Sequence, residues 1–565
     1  METSFTGHIV DIAGRRTYPG TIICREGKIL KIRKVDEVRE GAPYYLPGLT
    51  DAHVHIESSM MAPVNFAKVA VTHGVVGAVS DPHEIVNVLG TDGLDFMIRN
   101  AGCTRFNVCW GLPSCVPSSC MESAGAEIDA AETAELIRRG DISYLSEMMN
   151  YPGVIARDAE VMGKIAAAKA VGKPVDGHAP GLTGENLEKY VSAGISTDHE
   201  CATLEEARQR VALGMKVIVR EGSAARNFNA LAPIISEAPD MAMLCSDDRH
   251  PDDLLQGHID AMVRRGTALG ISVWDMLKAA AVNPVLHYRT GSGLMAPGDK
   301  ATFIAVDNLT DFDVRQTIMD GLVVYDAADG GLDRQALMLT EPPVEMPNRF
   351  EASHISEPDI ALHHTETGPT ISGCAKARVI VAYDGVLFTG REEVPVPELS
   401  DPQIQKIVVY NRYGHNTPQT GYIKGFGIEK GAIGSSVAHD SHNIVAVGSS
   451  DAELVKVINA IIDTKGGIAV SDGRDTDILP LPIAGLMSDM EAGELSARYT
   501  KLDRKAKSLG CRFHAPFITL SFMALPVIPS LKLTDMGLVD VDNFCFTEVL
   551  YGQPPTGTEP CGACR

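Results

Sequence analysis

The chain has 565 residues, a length that suggests about three or four domains, with 45% hydrophobic, 5% aromatic and 22% charged residues, the balance of a globular rather than a disordered or fibrous protein. A net charge of −23 repels nucleic-acid phosphates and anionic membrane surfaces, and the scarcity of aromatic rings argues against stacked-base recognition. Nucleic acid and membrane are therefore not expected as partners, while small neutral or cationic ligands stay open.

The first residues, Met1 to His8, carry neither a basic region nor an apolar core, and no later apolar run is long enough to span a bilayer. Twelve cysteines scattered over this length, several inside apolar runs such as those of Cys109 and Cys245, read as reduced core thiols, and a cytoplasmic protein is expected. Residues 20–24 and 28–33 alternate around a Glu-Gly turn and read as a β-hairpin. From residue 45 to about 250 one unit repeats: a short apolar, β-branched run, a polar or Gly/Pro break, then a stretch with helical spacing. The predicted strands are 46–56, 75–80, 105–111, 143–148, 173–177, 194–199, 215–220 and 242–246, with helices over stretches such as 156–171, 185–193, 204–213 and 251–268. Eight such units predict an α/β fold, a (β/α)8 TIM-like barrel with catalytic groups at the C-terminal strand ends.

Runs at 298–307 and 317–325 resemble the N-terminal hairpin, so segments on both sides of the barrel can pair into one small β domain. A Pro-rich stretch at 341–347 reads as a linker to a separate C-terminal α/β domain. The expected division is 1–46 plus 290–340 for the small β domain, 47–289 for the barrel and 341–565 for the C-terminal domain. Cys561 and Cys564 form a lone Cys-x-x-Cys without a partner pair and read as an exposed tail.

The strand ends carry the chemistry. His53 and His55 end the first strand; because side chains alternate, both face the same way and can share a metal. An isolated His-x-His is equally a water-facing pair, but the pattern continues. The second strand ends in Asp81-Pro82-His83-Glu84, the fourth in Glu147, the fifth in His178, the sixth in His199, the seventh in Arg220 and Glu221, and the eighth in Asp247 and Asp248. His53, His55, His178 and His199 supply neutral nitrogens, and Glu147 and Asp247 add carboxylates; six side chains exceed the needs of one tetrahedral metal, so two metals sharing a carboxylate are expected. Such a site makes hydroxide near neutral pH. A carboxylate beside it, Asp247 foremost, can move protons as general acid and base.

Asp51-Ala-His-Val-His55, His178, His199, Asp247, and Asn283-Pro284 followed by 293–299 resemble the amidohydrolase superfamily of metal-dependent hydrolases. Within it, 53–60, 80–84, 147–154, 176–181, 197–200, 220–225 and 247–252 resemble the adenine deaminase family, as do the C-terminal stretches 424–427, 436–443 and 481–489. The resemblance covers nearly the whole chain. It implies hydrolytic deamination of adenine to hypoxanthine and ammonia in purine metabolism, with a binuclear centre of manganese or iron, or of zinc. Carried over by position, His53, His55, His178 and His199 would be ligands, and Glu147 would lie between the metals, where many superfamily members use a carboxylated lysine. Asp247 suits proton transfer to the departing amine, with Asp248 able to exchange roles; Glu147 or Glu84 suits protonation of the ring nitrogen.

Asp81, His83 and Glu84 can hold a further metal or substrate edge, or orient the histidine ligands. Ser223 and Arg226 can contact the purine or cap a helix, and His439, Asp440 and His442 can close over substrate or form a polar loop. A homo-oligomer is expected of a large multidomain enzyme. The competing readings are another amidohydrolase acting on a cyclic amide or amidine, and a non-catalytic nucleobase-binding homologue.

Overall fold

The computed structural model describes residues 2–362, 376–414 and 417–552, so Cys561 and Cys564 lie outside the described residues. The chain divides into two compact units. The first comprises Met1–Ser118, Gly125–Arg349 and Leu481–Thr500; the second comprises Ser119–Ala124, Phe350–Pro480 and Lys501–Arg565.

The first unit opens with β1 (Glu2–Asp11), β2 (Arg16–Arg25), β3 (Lys28–Lys34) and β4 (Tyr44–Pro47). Glu26 and Gly27, both at positive φ, close the β2–β3 hairpin, the backbone that matches a two-residue turn to strand twist. Eight parallel strands follow: β5 (Leu49–Val54), β6 (Val75–Ser80), β7 (Asn107–Leu112), β8 (Ile142–Met148), β9 (Val175–Gly177), β10 (Thr197–Asp198), β11 (Lys216–Arg220) and β12 (Ala242–Cys245). They form one sheet from β5 to β9 and another from β10 to β12. Backbone bonds join the two: Ser196 N–H donates to the Val175 carbonyl at 2.8 Å, and Asp247 N–H to the His53 carbonyl at 3.0 Å. Helices follow the strands, several N-capped by side-chain acceptors such as Asp129, Asp158 and Thr203. Ala52, Val79, Cys109, Tyr144, Ile218, Met243 and Cys245, from six of the strands, pack in one buried cluster with Tyr288. The domain is α/β and TIM-like.

The predicted first strand, 46–56, is two strands. β4 runs parallel to β1 and pairs with β13 (Phe303–Val306) in a third sheet, which also holds β14 (Val314–Met319), β15 (Leu322–Asp326) and β16 (Gly331–Leu332) in the order β16-β15-β14-β13-β4-β1-β2-β3. The break falls at Pro47, which has no N–H to donate, and Gly48. A Cβ on Gly48 would stand 2.3 Å and 2.5 Å from the two methyl carbons of Val76. Gly48→Ala is therefore expected to lower stability by about 1–3 kcal/mol, the usual cost of overpacking. A urea unfolding midpoint equal to that of the wild type would contradict this close approach.

Leu481–Thr500 belongs to the first unit through backbone bonds: Ser488 N–H donates to the Met60 carbonyl and Ala62 N–H to the Ser488 carbonyl. The buried Lys68 ammonium meets Glu491 at 2.8 Å.

The second unit holds β17 (Lys376–Val381), β18 (Gly390–Pro395), β19 (Ile404–Tyr410), β20 (Gln419–Lys424), β21 (Ala432–Ser435), β22 (Ile444–Gly448), β23 (Gly467–Ser471) and β24 (Thr476–Pro480) in one mixed sheet. The helix Asp451–Asp463, N-capped by Ser450, lays Leu454, Val457, Ile458 and Ile461 on this sheet. Ser119–Ala124 is held in the second unit by Thr534, whose hydroxyl donates to the Met121 carbonyl at 2.7 Å, and by Asp535, which accepts from Ser123 N–H at 2.9 Å. No helix among the described residues is long and apolar enough to cross a membrane.

Candidate metal centre

The site stands at the C-terminal ends of the parallel strands of the first unit. His53 and His55 leave the end of β5, Glu147 leaves β8, and His178, His199 and Asp247 follow β9, β10 and β12. All six are buried. The Nε2 atoms of His53 and His55 are 3.2 Å apart. Glu147 is the hub: Oε2 lies 2.8 Å from His178 Nδ1, 3.2 Å from His199 Nε2 and 4.0 Å from His53 Nε2, and Oε1 lies 3.5 Å from His55 Nε2. Asp247 Oδ1 is 3.3 Å from His55 Nε2 and 3.8 Å from His53 Nε2. His53, His199 and Asp247 form one group whose ligating atoms lie within 4.8 Å of one another, and Glu147, His178 and His199 form a second. His199 belongs to both, and Glu147 also joins His55, Asp81 and His83 in a third such group.

The donor set fits divalent cations. His55 Nδ1 stands 3.0 Å from the Asp81 carbonyl, a bond it makes only as donor, so the Nε2 lone pair of a neutral ring faces the oxygens of Glu147 and Asp247. Acceptors facing acceptors need a proton or a metal between them. The titration behaviour of the protein's own groups says the same. Burial, with His199 beside it, drives His53 down to about 3. For His178 burial also opposes the charge, but Glu200 and Glu147 prevail and raise it to about 9. His55 and His199 are raised by neighbouring carboxylates despite burial. Glu147 lies well below the carboxylate range: burial pushes it up, and His178 and His199 outweigh that. The carboxylates thus draw positive charge into the cluster, a role that a bound cation fills.

Asp247 takes the left-handed φ of 52°, a conformation that costs a non-glycine residue about 1–3 kcal/mol and marks a position fixed by its surroundings. Its Oδ2 accepts from Arg220 at 2.7 Å, and Arg220 also grips Glu200. Burial raises the Asp247 carboxyl, yet Arg220 and then His55 hold it well below its ordinary range. Asp248 accepts from the Ser58 hydroxyl.

His83 joins the cluster from the second strand end, with Nδ1 3.4 Å from Glu147 Oε1 and 3.2 Å from Asp81 Oδ2, and Nε2 3.2 Å from Glu84 Oε1. Glu84 therefore reaches Glu147 through His83. Ser223 donates to Asp253 at 2.7 Å, and Arg226 meets the same carboxylate at 3.2 Å. Neither is the N-cap of the helix Phe228–Glu237, which is Asn227. His439 and His442 lie in the second unit, where the His439 ring stacks on Phe522 and His442 Nδ1 accepts from Ala438 N–H.

Two features escaped the sequence reading. Glu200 stands 3.4 Å from His199 Nε2 and 3.7 Å from His178 Nδ1, tied to Arg220; its place directly after a strand-end histidine was the available signal. Asp51 and His258 pair at 2.7 Å across 207 positions, and nothing local to His258 announces it.

Residues 44–324 match the amidohydrolase family, and residues 387–545 match the adenine deaminase C-terminal domain. The chain is 46% identical over 558 residues to adenine deaminase of Methanosarcina mazei, covering 96% of this chain and 99% of that protein. It is 47% identical over 561 residues to adenine deaminase of Methanosarcina barkeri, covering 98% and 100%. It is 45% identical over 554 residues to adenine deaminase of Salinibacter ruber, covering 96% and 98%. A likeness of this strength along the whole chain, over a buried six-residue donor set, means that the chain belongs to the adenine deaminase family.

Proposed function

We propose that this chain hydrolyses adenine to hypoxanthine and ammonia, water replacing the exocyclic amine. His53, His55, His178, His199, Glu147 and Asp247 hold two divalent metals, manganese or iron for preference. When bound, such metals supply activation of water as a nucleophile at neutral pH. The observation that carries the reading is the convergence of four imidazoles on Glu147 and Asp247 in a buried cluster, in a chain of this family.

The chain's own groups divide the proton work. Arg220 holds Asp247 Oδ2, which leaves Oδ1 on the imidazole side to accept a proton from the attacking water and pass it to the departing amine. The ring nitrogen takes its proton from Glu147 or from Glu84, the latter joined to the cluster by His83, and the water's second proton, lost as the new carbonyl forms, restores that carboxyl group. His83 and Asp81 orient the ligands: His83 stands against Glu147, and the Asp81 carbonyl fixes the tautomer of His55.

The test is ammonia release from a panel of bases by purified protein loaded with Mn2+. Release from adenine, but not from guanine, cytosine or adenosine, is expected; none from adenine would refute the proposal.

A further inference from the structure

Asp51 precedes His53 by two residues and is wholly buried. Its carboxylate gathers four donors from three elements. Oδ1 accepts from the backbone N–H of His53 at 3.3 Å and of Ser246 at 3.0 Å; Oδ2 accepts from the Ser246 hydroxyl and from His258 Nε2–H at 2.7 Å. The Asp247 N–H donates in turn to the His53 carbonyl. One carboxylate therefore fastens the ends of β5 and β12 together where the side chains of His53 and Asp247 depart.

His258 stands at the start of the helix Ile259–Ala268 and is wholly buried. Its Nδ1 has no hydrogen-bond partner among the described residues, and the Phe66 ring meets it edge-on at 5.8 Å. Burying an imidazole with a single polar partner is unfavourable for folding taken alone. Its one side-chain hydrogen bond among the described residues is the one to Asp51, where a carboxylate oxygen can only accept and Nε2 therefore donates, and burial lowers the ring's pKa.

We propose that His258 is a positioning residue for the metal pair, acting through Asp51. It orients the carboxylate that sets β5 against β12, and so keeps His53 and Asp247, 3.8 Å apart at their nearest ligating atoms, on a common cation. The proposal rests on the reading of this cluster as a metal centre.

The test uses the full chain, stripped of metal, and needs no adenine. His258→Leu is expected to weaken Mn2+ binding by roughly 10- to 100-fold, the range for residues that orient metal ligands, and to shift the visible absorption of the Co2+-loaded protein. His258→Gln, which returns an N–H donor, is expected to recover most of the affinity. A folded His258→Leu protein with wild-type Mn2+ affinity and an unchanged Co2+ spectrum would overturn the proposal. Should His258→Leu not fold, Ser246→Ala removes another donor to the same oxygen: weaker Mn2+ binding with a shifted spectrum supports the proposal, and no change in either overturns it. A wild-type protein that binds neither ion would instead refute the metal centre itself.

Discussion

Replacing Asp247 by asparagine is expected to slow ammonia release from adenine by roughly 10²- to 10⁴-fold, the range in which a positioned acid–base group contributes. The backbone gives no reason for the fold to fail, because asparagine tolerates the left-handed φ of 52° as readily as aspartate. Arg220 keeps Glu200 as its partner, so no buried guanidinium is left without a carboxylate. The four histidines and Glu147 are untouched, and metal content should stay close to that of the wild type. An Asp247→Asn protein with unchanged turnover would refute the acid–base role.

Glu147→Ala is expected to remove both activity and metal. Glu147 stands within 4.0 Å of His53, His55, His178 and His199. Without it the histidines lose the negative charge that makes a cation welcome among them, and the group with His178 and His199 and the group with His55, Asp81 and His83 both lose a ligand. The fall in turnover should exceed the roughly 100-fold that loss of an outer partner costs. Metal analysis of the purified variant should find at most one ion per chain. Two ions per chain in a folded Glu147→Ala protein would show that Glu147 is not the shared ligand.

Much of this was legible in the sequence because parallel strands covered on both faces read as apolar runs, and polar residues at their ends stand out against them. His53, His55, Glu147, His178, His199 and Asp247 each follow such a run, and the structure gathers all six. The break at Pro47–Gly48 was hidden because apolar residues continue on both sides of it, and only the methyl groups of Val76 show why a glycine stands there. Glu200 with Arg220, and Asp51 with His258, were hidden because each pair is made by the fold across the sequence. Residues 119–124 and 481–500 joined units other than those of their sequence neighbours for the same reason: tertiary hydrogen bonds, not local pattern, decide where they belong.

The most direct measurement is stepwise return of Mn2+ to metal-free protein while ammonia release from adenine is followed. Activity absent without metal, rising with added Mn2+ and levelling at two ions per chain, is the predicted result. Full activity in the metal-free protein, or none at any Mn2+ loading, would contradict a metal-dependent adenine-hydrolysing centre built on His53, His55, Glu147, His178, His199 and Asp247.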